Sequence, residues 1–426
     1  MLPTLRAGAA RIEITPPPGL DLTGYIARDN PATGVRDPLY ARALALDDGR
    51  RQVALVSCDL LAFDADFVDD VRAHIAIATR IPGPQVMLAA THSHAGPAIL
   101  DLQDCGRPDP AWVKSCQTRI VQAVAQAQAA LEPAALAVGQ GESTAGVHNR
   151  RQPGDVIDPA VGVLRVDKAG GAPLAVVVNY TCHPTCLSSD NRLVSADYPG
   201  LVTATVEQAT GAICLFLTGA IGDVGPVTRG EKSLATVGQA VAEEALRVLP
   251  SLTPIENPLL DTEGEILALP LDALPDRSAL LRQREEYRLA SLAADQARQP
   301  LQARIARAMV GWTERILDRY KVGPLPAALL GEVQVFHLGE AALAGVPGEL
   351  FVELGLQIKR EVAPRPVFIV GCANASVGYL PARRAYPLGG YEIDEAYKYY
   401  GAPAVFAPEA GEQLVASVLS HISKQG

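Results

Sequence analysis

Val86-Met87-Leu88-Ala89-Ala90-Thr91-His92-Ser93-His94-Ala95-Gly96-Pro97 is the stretch on which the reading of this chain turns. Its opening residues are apolar without interruption, as in a strand buried on both faces. Gly96-Pro97 ends the run. Two histidines one residue apart therefore stand at a strand's carboxyl end. Strand side chains alternate, so positions two apart face the same way. If strand geometry continues through the motif, both imidazoles enter one site at the sheet edge where α/β proteins form clefts. Neutral imidazole is the commonest nitrogen ligand of zinc, which makes the pair a candidate metal site.

The same pattern repeats on either side. Residues 52–58 read as a buried strand ending at Asp59, and 66–80 as a helix leading into the strand over 86–91. Residues 110–131 read as a long helix, 173–181 as a strand stopping at Cys182-His183-Pro184, and 212–218 as another before Gly219-Ala220-Ile221-Gly222-Asp223. Helical periodicity returns over 233–248. Strands follow at 332–338, at 341–346 ahead of Pro347-Gly348-Glu349, and at 366–372 near Asn374. Strands alternating with helices define an α/β class. Over about 277–321, leucine and alanine alternate with arginine, glutamate and glutamine at helical spacing, and Pro300 interrupts them. That segment is expected to be a helical hairpin inserted into a single catalytic domain over 1–426, its charges facing solvent.

Bulk properties narrow the function. The chain has 426 residues, 48% hydrophobic and 20% charged, as expected of a soluble globular protein with a large core. With 37 basic against 47 acidic residues, its net charge of −10 argues against non-specific nucleic-acid binding. No apolar run approaches membrane-spanning length, and Met1-Leu2-Pro3-Thr4-Leu5-Arg6 lacks the pattern of a secretory leader. Neither nucleic acid nor stable membrane insertion is expected. The 7 cysteines are scattered and odd in number, which fits a reducing, cytoplasmic setting. Cys182 and Cys186 flank His183, but no second cysteine pair at zinc-finger spacing accompanies them.

Apolar runs thus end at Asp59, at His92 and His94, at His183, at Glu349 and near Tyr379. Polar residues commonly cap strands, so no one position is decisive. Three of the chain's 7 histidines in this context carry more weight. A catalytic zinc takes three protein ligands and keeps a position for water, and His92, His183 and Glu349 supply two nitrogens and a carboxylate. On spacing alone, His94 is either a further ligand or a proton shuttle. His74, His337 and His421 lack any motif. Asp59, Asp197 and Asp223 are read as turn or orienting residues.

Ordered blocks along the chain carry a resemblance. They are Ala10-Arg11-Ile12-Glu13-Ile14-Thr15-Pro16, Leu22-Thr23-Gly24-Tyr25, Ser57-Cys58-Asp59, Thr91-His92-Ser93-His94-Ala95-Gly96-Pro97 and His148-Asn149-Arg150. They continue through Asn179-Tyr180-Thr181-Cys182-His183-Pro184-Thr185, Ser195-Ala196-Asp197, Gly222-Asp223-Val224, Pro347-Gly348-Glu349, Gly371-Cys372-Ala373-Asn374, Gly378-Tyr379 and Tyr391-Glu392. Together they resemble the catalytic domain of the neutral ceramidases and their shorter bacterial relatives. The resemblance implies mixed β-sheets flanked by helices and a Zn2+-dependent amidase. It implies metal ligation by His92, His183, Glu349 and Tyr379, acid/base work by His94, and contacts to the scissile carbonyl region from Arg150 and Tyr391.

The chemistry implied is hydrolysis of an N-acyl amide, with a small-molecule acyl substrate as partner. The leaving amine needs a proton, which calls for a general acid such as His94. A zinc esterase or lactonase on the same scaffold is the alternative. A binuclear TIM-barrel hydrolase also uses H-x-H but needs further histidines and a late strand-end aspartate that cannot be placed. Departures from the neutral ceramidases include no room for a C-terminal immunoglobulin-like domain and Val224-Gly225-Pro226 after Gly222-Asp223. Pro381-Ala382-Arg383-Arg384-Ala385-Tyr386 is basic where the family is acidic. Arg383 and Arg384 are accordingly expected near the cleft, favouring an anionic group.

Overall fold

The computed structural model describes residues 5–424, so residues 1–4 of the amino-terminal stretch read for a leader lie outside the described residues. Its organising element is a nine-stranded mixed sheet. Along the main path the spatial order is Ile213–Thr218, Pro173–Tyr180, Ala160–Lys168, Glu132–Glu142, Arg6–Glu13, Tyr40–Asp47, Gln52–Cys58 and Val86–Ala90. The central pairs are antiparallel. A parallel pair closes each end, 52–58 with 86–90 and 173–180 with 213–218. Apolar runs indicate strands without revealing their direction, so the antiparallel centre was not visible in the sequence.

Period-two alternation divides each strand between two cores. Ala43, Ala45, Val56, Leu88 and Ala90 face the helices Ala65–Thr79 and Pro110–Ala129. Val176, Val178, Cys214 and Phe216 face the helices Asp197–Thr210 and Glu231–Val248. The opposite face, with Leu44, Leu46, Leu55, Met87, Val177 and Leu215, packs against Phe336, Leu343, Phe368 and Val370 of a second sheet. That sheet runs Leu260–Pro270, Ala328–Leu338, Ala341–Gly345, Val367–Val370. Its outer face, through Val335, Ala344 and Ile369, packs on the helices Val352–Glu361 and Ala410–Ile422. The layers are therefore helix, sheet, sheet, helix.

Helix starts follow their capping chemistry. Asp64 accepts from the amide of Phe67 at 2.8 Å, and Asp109, just before Pro110, accepts from Trp112 at 2.7 Å. The segment from 277 folds as two helices, Arg277–Gln296 and Pro300–Val322. They enclose a small core of Leu280, Trp312, Ile316, Leu317 and Leu325. The Trp312 indole donates to the carbonyl of Ala402 at 2.8 Å, and Arg304 donates to that of Arg28 at 2.6 Å, so the hairpin is docked on the body.

Strands 86–90 and 173–180 run in opposite directions in the ladder. Ser57, next to the end of strand 52–58, nevertheless donates to the carbonyl of Phe216 at 2.6 Å, so the two ends of the ladder lie together and share one rim. Thr218 at the end of the neighbouring strand donates to the carbonyl of Thr91 at 2.8 Å across that rim. Residues on the two histidine segments therefore meet although nearly a hundred positions separate them.

Candidate metal centre

The strand ends at Ala90, and His92 has a φ of 65°. Alternation through the motif is thus not what unites the two imidazoles. The chain turns through a left-handed residue at His92, a conformation disfavoured for a side chain of this kind and held here by its surroundings. Its amide donates to the carbonyl of Leu60 at 2.9 Å, and its Nδ1 lies 2.8 Å from the carbonyl of Leu61.

Each of the three imidazoles is oriented in the same way. Nδ1 of His94 is 3.0 Å from the carbonyl of Gly24, and Nδ1 of His183 is 3.3 Å from that of Ile221. A carbonyl oxygen only accepts, so Nδ1 of His92 and of His94 carries a proton, and in the neutral ring Nε2 keeps its lone pair. The Ile221 carbonyl favours the same tautomer at His183, whose Nδ1 also lies 3.4 Å from Nη1 of Arg150. Those Nε2 atoms converge. His183 Nε2 lies 3.1 Å from His92 Nε2 and 3.1 Å from His94 Nε2. Two acceptors at that separation repel unless something positive lies between them.

A carboxylate completes the cluster. Glu349 opens the short strand Glu349–Leu350, which pairs in parallel with Tyr379–Leu380 and places Glu349 opposite Tyr379. Glu349 is 1% exposed. Tyr400 donates to its Oε1 at 2.5 Å. Oε2 lies 3.5 Å from both His92 Nε2 and His183 Nε2 and has no hydrogen-bond partner among the described residues. A buried carboxylate oxygen without a partner is costly. The lone pairs of His92 and His183 and that oxygen form an N/O donor set that suits zinc, and the residues fit the ion, with His94 beside them. Backbone carbonyls on the Nδ1 atoms are the usual outer partners of metal-binding histidines.

The electrostatics agree. Burial disfavours the His92 imidazolium, but Cys372 and Glu349 beside it outweigh burial and lift it to about 10. Burial would raise Glu349, and His92 instead holds it below the usual carboxylate range. His94 and His183 are driven well below the ordinary imidazole value, mainly by burial, with His92 adding repulsion to both and Arg150 to His183. The site thus stabilises one positive charge among its three rings.

The family follows from the sequence. Residues 5–244 match the family described as neutral/alkaline non-lysosomal ceramidase, N-terminal. The chain belongs to that family. The neutral ceramidase of Pseudomonas aeruginosa is 24% identical over 91% of this chain and 68% of its own length. That of Mycobacterium tuberculosis is 24% identical over 87% and 70% respectively. Among solved structures, a ceramidase complexed with C2 superposes with a TM-score of 0.77 at 19% identity, covering 98% of this chain and 74% of that one. The neutral ceramidase crystal structure from P. aeruginosa gives 0.75 at 21% identity with the same coverage. The expected mixed-sheet α/β fold of this family is the fold observed.

A cavity of about 280 Å³ opens onto the cluster. His94, His183, Glu349 and Tyr379 line it, whereas His92 lies behind them. Arg150 and Tyr391 line it too. Arg150 donates to the hydroxyl of Tyr379 at 2.9 Å and to the carbonyl of Gly222 at 2.8 Å, and pairs with Glu392 at 3.0 Å. Glu392 also binds Arg151, at 2.5 Å, so the neighbouring arginine buttresses the site from outside the cavity. The Tyr391 ring meets that of Tyr379 edge-on at 6.0 Å between centroids.

Other expectations resolve as follows. Asp223 accepts from the amide of Val352 at 2.8 Å and from Asn149 at 3.0 Å, tying the Arg150 segment to the Glu349 segment. Asp197 accepts from the amides of Cys186 and Leu187 at 3.2 and 2.8 Å, shaping the loop after His183. Arg383 and Arg384 do not line the cavity. Arg383 pairs with Glu412, and Arg384 pairs with Asp155 and Glu353. Tyr400 and Cys372 were missed as contacts of the cluster. The Tyr399-Tyr400 pair beyond Tyr391 was the available signal, but its link to Glu349 spans 51 positions.

Proposed function

We propose that this chain is a zinc-dependent hydrolase that cleaves the amide bond of an N-acyl substrate, ceramide-like or smaller. The observation that carries the reading is the convergence of the His92 and His183 Nε2 lone pairs on a buried, partnerless carboxylate oxygen, beside His94 at the floor of a cavity. His92, His183 and Glu349 would hold the ion, with Tyr379 beside them. Bound there, zinc supplies Lewis-acid polarisation of a carbonyl and lowers the pKa of water to roughly 7.

The chain's own residues supply the rest. His94 faces the cavity with Nδ1 committed to Gly24, so its Nε2 is the atom that takes a proton from water and returns it to the departing amine. Burial and the neighbouring charges keep it in the basic form. Arg150, clamped by Glu392 and Gly222, and the Tyr391 hydroxyl offer donors for the oxyanion of the tetrahedral intermediate. Their fixed orientation avoids reorganisation during the reaction. Leu61, Leu102, Ile26 and Cys105 line the cavity with apolar surface suited to the acyl chain.

Metal analysis of the purified chain, with hydrolysis of matched N-acyl amides and esters before and after chelation, tests this reading. Stoichiometric zinc and chelator-sensitive amide cleavage are expected. Cleavage confined to esters would favour the esterase alternative, and full activity after complete metal removal would overturn the proposal.

A further inference from the structure

Two arginines at the cavity, Arg229 and Arg28, have no carboxylate within ion-pair distance among the described residues. Arg229 stands at the rim and makes one hydrogen bond, to the carbonyl of Pro226 at 3.0 Å. Among the described residues no carboxylate lies within ion-pair distance of it. Behind the same wall lies Arg28, fully buried at 0% exposure. Its guanidinium sits 4.9 Å from the centroid of Tyr25, a cavity residue, and donates only to the carbonyls of Asn191 and Thr23. Its Nη2 has no partner among the described residues. Burial lowers its pKa to about 10.

Arg229 is exposed and hydrated, so its charge is available to a ligand at the rim, while the buried Arg28 with its unpartnered Nη2 adds positive potential behind it. Arg383 and Arg384, which lie away from the cavity, are matched with carboxylates. Arg229 is also placed apart from the apolar side of the cavity. Its loop joins the Cys186–Ser189 turn, since the amide of Gly230 donates to the carbonyl of Cys186 at 2.7 Å. Leu102 instead belongs with Tyr399, whose carbonyl accepts from the amide of Gln103 at 2.9 Å. The apolar lining suits an acyl chain, and a different segment of the lining offers a guanidinium fork.

We propose that the substrate of this cavity is an N-acyl amide bearing a carboxylate, as in an N-acyl amino acid, and that Arg229 is the residue that selects it. The substrate class rests on the amidase reading above. A guanidinium donates through parallel N–H groups to both oxygens of a carboxylate, whereas a neutral amide or alcohol at the same position leaves it unmatched.

The test compares N-hexanoylglycine with N-hexanoylglycinamide, which differ only at the anionic group. Calorimetric binding and hydrolysis are measured for the full chain and for Arg229→Gln and Arg229→Lys. The wild-type protein is expected to bind the carboxylate about tenfold tighter than the amide. Arg229→Gln should reduce that ratio to near unity, acting on KM rather than kcat, and Arg229→Lys should keep part of it. Equal binding of the two ligands by the wild type, or an unchanged ratio in Arg229→Gln, would overturn the proposal. Preferential binding without turnover of either compound would instead count against the amidase reading and leave the role of Arg229 supported.

Discussion

The hydroxyl of Tyr400 donates to Oε1 of Glu349 at 2.5 Å, and this bond divides the carboxylate's two oxygens between two tasks. Oε1 is held by the protein. Oε2 is left facing His92 and His183 at 3.5 Å from each. Tyr400 thereby fixes the carboxylate's rotation around the point where a cation would sit, without touching that point.

Tyr400→Phe should therefore weaken metal binding while leaving the fold in place. Loss of such an outer partner costs about 10–100-fold in metal affinity or activity. Competition with a chromophoric chelator measures the effect. Metal affinity equal to that of the wild type would show that packing alone orients Glu349.

His92 and His94 should separate in a pair of variants. His92 lies behind the cavity and His94 lines it, although both Nε2 atoms lie 3.1 Å from that of His183. His92→Ala is expected to lose both metal and activity. His94→Ala should retain metal and lose at least about 100-fold in kcat, the scale of a removed acid/base group. Metal content falling equally in the two variants would make His94 a ligand.

Gly24 provides a third probe. Its φ is 91°, and a Cβ built there would collide with the His94 ring. Its carbonyl is also what orients that ring. Gly24→Ala should thus cost about 1 kcal/mol or more in backbone strain and lower kcat about tenfold or further by displacing His94. Unaltered kcat with the same KM would mean that His94 tolerates displacement.

Much of this arrangement was legible in the residues themselves. The helices over 66–80 and 110–131 showed in their spacing, and the structure adds the caps at Asp64 and Asp109. The blocks around His92, His183 and Glu349 stood out because each interrupts an apolar run. Local patterns could not show how those blocks meet. His92 and His94 converge through a left-handed turn rather than strand alternation, because the ladder ends at Ala90. Tyr400, Cys372 and Arg229 reach the site from loops whose sequence bears no periodicity. Arg383 and Arg384 looked available for an anion only because Glu412, Asp155 and Glu353 are remote in sequence.

A titrating group far from the cavity gives a last prediction. His337 lies on the buried strand Ala328–Leu338 at 0% exposure, and Arg365 donates to its Nδ1 at 2.8 Å. Burial first and the Arg365 charge second lower its pKa to about 4, while Asp261 and Glu263 oppose the shift only in part. An unfolded histidine titrates near 6.5. As pH falls below that value, the unfolded chain takes up a proton that the folded chain refuses until about 4. The contribution of His337 to stability is therefore full above about pH 6.5 and declines towards pH 4, with a limiting slope of about 1.4 kcal/mol per pH unit. His337→Asn keeps an acceptor near the Nδ1 position without the titration. Urea unfolding from pH 7 to pH 4 should show the wild type losing stability faster than the variant in this window. Parallel curves would mean that His337 does not titrate differently in the folded and unfolded chains.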